Sequence, residues 1–116
     1  SFYEVASIKR AYRLLPSAGD QAQKLQQNIS LFKELLSQTG FNLLSSDSAI
    51  QCLVVGSNEK AKTMAVQLQN VGLDVRPILS PTVAKGTERL RICLHSYNTD
   101  NEINLLSETI HQLHHV

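Results

Sequence analysis

A chain of 116 residues with a formal net charge of +1, 42% apolar and 18% charged residues suits one globular domain with a single modest core. That balance excludes a disordered polymer, and it offers no basic face of the kind that nucleic acid or an anionic membrane selects. No apolar run nears the roughly 18 residues of a membrane span, and residues 1–15 carry Lys9, Arg10 and Arg13 in an amphipathic pattern that is no secretory leader, so a cytoplasmic setting is expected.

Phe2, Val5, Ile8, Tyr12 and Leu15 recur at steps of three and four, which predicts a helix that Pro16 stops. Ser1 is not a natural initiator and Phe2 falls straight into that pattern, so the sequence is expected to begin inside a larger protein. Ser17, Ala18 and Gly19 read as a break. A second helix starts at about Asp20, with Ala22, Leu25, Ile29, Phe32 and Leu36 on one stripe, and Gly40 ends it. Residues 41–44 form a short strand and residues 45–48 supply turn chemistry. Residues 49–55 are nearly continuously apolar, as in a central strand covered on both faces. Gly56, Ser57 and Asn58 make a turn and a helix cap, after which Ala61, Met64, Leu68 and Val71 mark a third helix closed by Gly72.

The strand predicted over residues 73–79 contains Pro77, which belongs at an edge or a bulge. Residues 80–87 are a loop, and residues 88–95 alternate, with Leu90, Ile92 and Leu94 on one face and Arg89, Arg91, Cys93 and His95 on the other. Thr99 and Glu102 form a capping box that opens a last helix, whose stripe is Ile103, Leu106, Ile110 and Leu113. The order α-α-β-β-α-β-β-α predicts an α+β fold: a small open mixed or antiparallel sheet of about four strands with helices mainly on one face. Residues 1–116 then form one domain, with residues 1–40 as a helical lead-in and residues 41–116 as sheet and helices.

Chemistry is sparse in these residues. Cys52 and Cys93 lie in apolar strands and read as buried free thiols. Without a CxxC pair, zinc has no support from spacing. His111, His114 and His115 read as a polar last helical turn favoured by the helix dipole. Lys85 and Gly86, near Thr82, lack the further glycines and the following helix of a phosphate loop. His95 reads as structural. GxSxG, HExxH and Walker patterns are absent, so catalysis is not legible in this chain's own residues. Arg89 and Arg91 share one strand face, which meets either water, where they are merely solvated, or another surface, where a guanidinium grips a carboxylate.

Two stretches carry a resemblance. SAIQCLVVG, residues 48–56, and VRPILSPTVAKGTERLRICLHSYNT, residues 75–99, resemble the C-terminal region of the α-oxoamine synthase family, the fold-type-I pyridoxal-phosphate enzymes that condense an amino acid with an acyl-CoA and release carbon dioxide. The SAIQ and PTV-x-x-GT-x-RLR strings follow the branch that serves biotin biosynthesis; another branch, such as 2-amino-3-ketobutyrate CoA ligase, ranks second. The chain departs from the pattern where Cys52 and Ala84 stand for prolines, and where Leu79 and Ser80 stand for arginine-proline. The resemblance implies that Arg91 holds the substrate carboxylate and that Thr82 borders the same cleft. It further implies that pyridoxal phosphate, its Schiff-base lysine and the other cofactor anchors belong to a large N-terminal domain preceding this region. The six lysines here, Lys9, Lys24, Lys33, Lys60, Lys62 and Lys85, lack the family's lysine context. The implied whole is a homodimer acting on L-alanine and pimeloyl-CoA or a carrier-bound equivalent, with this region inert alone. A free-standing, non-catalytic α+β interaction module is the alternative from another class.

Overall fold

The structure, a computed structural model, describes residues 18–37 and 40–114; the helix expected over residues 2–15 lies outside them. Its elements run α1 (Ala18–Ser37), β1 (Asn42–Leu43), β2 (Ile50–Val54), α2 (Asn58–Asn70), β3 (Val75–Ile78), β4 (Arg89–Cys93) and α3 (Asp100–His114). The strands form one four-stranded sheet in the order β1-β2-β4-β3. Every pairing is antiparallel, which settles the choice the sequence left between a mixed and an antiparallel sheet.

Alternation divides the sheet into two faces. Leu53, Leu90, Ile92 and Val75 point to one side and are buried there with Ala61, Met64, Ala65 and Leu68 of α2 and Ile103, Leu106 and Ile110 of α3. Ile29, Phe32 and Leu36 of α1 complete the core by packing on α3. All three described helices therefore serve one face of the sheet. Pro77 lies in the edge strand β3, where the missing N–H removes no ladder bond to an outer neighbour.

Local chemistry sets the helix boundaries. Ser57 Oγ accepts from Lys60 N at 3.1 Å and caps α2. Gly72, at φ +86°, turns the chain out of α2 in a backbone region that a side chain would strain. At α3 the capping box is complete: Thr99 N donates to Glu102 Oε1 at 2.8 Å and Glu102 N to Thr99 Oγ1 at 3.1 Å.

Four sequence expectations need correction. Ala18 and Gly19 are the first turn of α1 rather than a break, because the opening N–H groups of a helix need no intrahelical partner and tolerate turn formers. Ala22 and Val71 are exposed; Asn28 takes the buried position on α1, and Val71 is the C-cap of α2. Among the described residues, the strand β2 is covered on one face only, and Ile50 on its other face is exposed. Cys52 and Cys93 lie on that same uncovered face, so they are free thiols but half-buried ones.

Candidate functional site

The uncovered face of the sheet is where polar chemistry collects. Arg91 stands at the middle of β4, opposite Cys52 of β2 and Arg76 of β3, and Arg89 stands opposite Val54 and Ile78. Two arginines paired directly across strands repel each other unless an anion or solvent separates them. Arg76 and Arg91 are both exposed, and with Asp74 and Cys93 they line a depression of about 140 Å³. Arg91 makes no hydrogen bond or ion pair among the described residues, whereas Arg89 Nε donates to the Thr87 carbonyl at 3.0 Å. The alternation of β4 predicted this outward register for Arg91. Arg76 was missed, because only the β3–β4 register makes it a neighbour.

Thr82 occupies the loop joining β3 to β4 at the end where Arg89 lies, and its side chain is exposed. The structure does not bring it into the depression beside Arg91. The loop itself is well tied. Val83 N donates to the Leu79 carbonyl at 3.1 Å, Ser80 N to Asn58 Oδ1 at 3.0 Å, and Gly86 N to Glu88 Oε1 at 2.8 Å. The Ser80–Pro81 peptide is cis. Gly86, at φ +93°, occupies a conformation that disfavours any side chain. Glu88 is buried, and a hydrogen bond from its own backbone N–H, joined by those from Gly86 and Ser80 and by the Lys85 charge, holds its carboxyl below the usual carboxylate range against the opposing pull of burial. The loop also walls a second cavity of about 350 Å³ with Gly56, Ser57 and Asn58 at the start of α2 and with Lys85 and Glu88.

A third grouping escaped the sequence. His95 Nε2 donates to Asp74 Oδ2 at 3.0 Å, and Cys93 Sγ joins them with the ligand atoms of all three residues within 4.8 Å of one another. Cys93 and His95 were legible as neighbours on one strand face. Asp74 comes from the turn before β3, and no spacing rule announces it.

Two buried amides fix the frame around these groups. Asn28 Nδ2 donates to the His95 and Asn98 carbonyls at 2.9 and 3.0 Å, so α1 holds the chain as it leaves β4. Gln51 Nε2 donates to the Ser46 and Ser48 carbonyls at 3.1 and 2.8 Å, which gives the glutamine of the SAIQ stretch a turn-locking role. The histidines at the C-terminal end differ from the expected polar turn: His111 sets its ring edge-on to Phe41 with centroids 5.0 Å apart, while the side chains of His114 and His115 lie outside the description.

The described residues do not fit a pyridoxal-phosphate site. Lys24 and Lys33 pair on the surface with Asp100 and Asp47 at 2.8 and 2.7 Å. Lys60 and Lys85 each line a cavity, but neither cavity has an aromatic ring to lie over a pyridine, and Lys62 is exposed. Lys9 is outside the described residues.

The sequence and the fold are shared with known proteins. The profile of the aminotransferase class I and II family matches residues 6–110. The chain is 36% identical over 108 residues to the 8-amino-7-oxononanoate synthase of Photorhabdus laumondii, covering 93% of this chain and 28% of that protein. It is 34% identical over 112 residues to the enzyme of the same name from Yersinia enterocolitica, covering 97% and 29%. Among solved structures, 8-amino-7-oxononanoate synthase from Francisella tularensis superposes with a TM-score of 0.69 at 28% identity, covering 92% of this chain and 31% of that one. A structure of SPT with PLP superposes with a TM-score of 0.72 at 25% identity, covering 84% and 25%. The chain thus spans less than a third of the length of these relatives, 28% in the first case.

Proposed function

Because this chain belongs to the aminotransferase class I and II family and, within it, to the α-oxoamine synthases, we propose that it is the C-terminal small domain of an 8-amino-7-oxononanoate synthase-like acyltransferase. The proposed whole enzyme condenses L-alanine with pimeloyl-CoA, or a carrier-bound equivalent, in biotin biosynthesis. Residues 1–116 form one domain, joined to a large pyridoxal-phosphate-binding domain of the same polypeptide, and the enzyme works in the cytoplasm as a homodimer. Pyridoxal phosphate, held outside this chain, supplies the electron sink of the reaction.

The observation that carries this reading is Arg91: a guanidinium on an uncovered sheet face, without a partner among the described residues and opposite a second arginine. A planar fork of donors matches a carboxylate in two hydrogen bonds, and desolvation by a covering domain strengthens them. Arg91 thereby orients the amino acid, fixing which bond at its Cα breaks. Thr82 borders the same cleft when the large domain closes over the loop, as a secondary substrate contact. The apolar residues of the open face, Ile50, Val54 and Ile78, give that domain a surface to cover.

The test is a panel assay. The full-length protein carrying this chain, loaded with pyridoxal phosphate, is given L-alanine, glycine or L-serine with pimeloyl-CoA, and release of the CoA thiol is followed. Thiol release with L-alanine, and none from residues 1–116 alone, is the expected result. Turnover by residues 1–116 alone, or a preference for glycine or serine, contradicts it.

A further inference from the structure

We propose that Asp74, Cys93 and His95 form a three-ligand zinc site on the uncovered face of the sheet, with a fourth position open beside Arg91. The inference stands on geometry independent of the substrate reading. One carboxylate, one thiol and one imidazole present their ligand atoms within 4.8 Å of one another, and two of them are already 3.0 Å apart. A tetrahedral zinc with bonds of about 2.0–2.3 Å needs ligand atoms about 3.3–3.8 Å apart, so side-chain rotation alone closes the site. The set is chemically selective: thiolate and imidazole suit zinc, and calcium or magnesium would require a cage of oxygens.

The backbone beneath the three ligands is fixed. Cys93 N donates to the Asp74 carbonyl at 2.9 Å, which ties the turn before β3 to β4. His95 N donates to Asn98 Oδ1 at 2.8 Å and its carbonyl accepts from buried Asn28 at 2.9 Å. The ring of Tyr97 stacks on that of His95 with centroids 4.6 Å apart and planes 8° apart, which sets the imidazole plane. Such supporting contacts are what orient metal ligands elsewhere. Arg76 and Arg91 line the adjoining depression and oppose a bare cation, but the thiolate and carboxylate together balance the double charge of zinc, so the loaded site presents no net positive charge to them. On binding, the thiol proton goes to solvent and Nε2 gives up its hydrogen bond to Asp74, leaving the ring proton on Nδ1. The depression leaves room for water as the fourth ligand.

The experiment uses the full-length protein, stripped with a chelator and titrated with zinc in competition with a chromophoric chelator, with zinc-edge X-ray absorption on the loaded sample. One zinc per chain is expected, with one sulfur in its first shell. Cys93→Ser and Asp74→Asn should each weaken it on the order of 100-fold, and Cys52→Ser should leave it unchanged. Using both variants guards against a folding defect in either. Absence of zinc binding overturns the proposal. So does equal affinity in wild type, Cys93→Ser and Asp74→Asn, or binding that is abolished by His111→Ala but not by Cys93→Ser.

Discussion

At the scale of single residues, the informative ones are those whose neighbours come from another strand. Arg91 was legible as outward-facing because period-2 alternation is local, but its pairing with Arg76 belongs to the β3–β4 register, which no sequence window contains. Glu88 shows the converse. Its burial beside Leu90 and Ile92 was not read from the sequence; what holds the carboxylate there is a loop that folds back to donate Gly86 N–H at 2.8 Å. Its depressed pKa has a consequence for acid stability. A carboxylate held below its unfolded value contributes stability that is fully present above that value, near ~4.3 for glutamate, and is lost as pH falls through the lower folded value. Glu88→Gln should therefore lower stability near neutrality and flatten the acid limb of a stability-versus-pH curve, the two proteins converging as pH falls through the folded value. An unchanged acid limb in urea melts from pH 6 down to pH 3, about the span of carboxylate titration, contradicts the assignment.

At the scale of elements, what was legible is what is locally encoded. The capping box of α3 was read from Thr99 and Glu102 and is present with both reciprocal bonds. Thr99→Ala should cost about 1 kcal/mol in chemical unfolding, and a silent substitution would mean that α3 is held by its packing alone. The buried stripe of α3 was equally legible, since Ile103, Leu106 and Ile110 are all in the core. The start of α1 was not, because Ala18 and Gly19, read as a break, lie in a first helical turn that accommodates them. The reading of β2 failed for a different reason. A continuous apolar run reports how much surface a strand can bury, not which chain buries it, and half of β2 faces away from every described helix.

At the scale of the molecule, the described residues form a sheet with three helices on one face and arginines, thiols and apolar residues on the other. The fold class was recoverable because the order of elements and one core stripe per element suffice for it. The candidate site was legible only in part: alternation gave the outward register of Arg91 and put Cys93 and His95 on one strand face, but Asp74 and Arg76 join them only through tertiary pairing, and Thr82, proposed from family likeness, lies outside that depression. In the proposed function, Arg91 grips the carboxylate of the amino-acid substrate. The most direct measurement is kcat/KM for L-alanine in the full-length enzyme, wild type against Arg91→Ala, Arg91→Lys and Arg89→Ala. A desolvated charge-assisted pair is worth on the order of 2–4 kcal/mol, so Arg91→Ala should lower kcat/KM roughly 30- to 1000-fold. Arg91→Lys should recover only part of the loss, with the melting temperature nearly unchanged in both variants. Intact alanine kinetics in Arg91→Ala alongside a collapse in Arg89→Ala would place the clamp on the other arginine, and silence in both would contradict a carboxylate site on this strand.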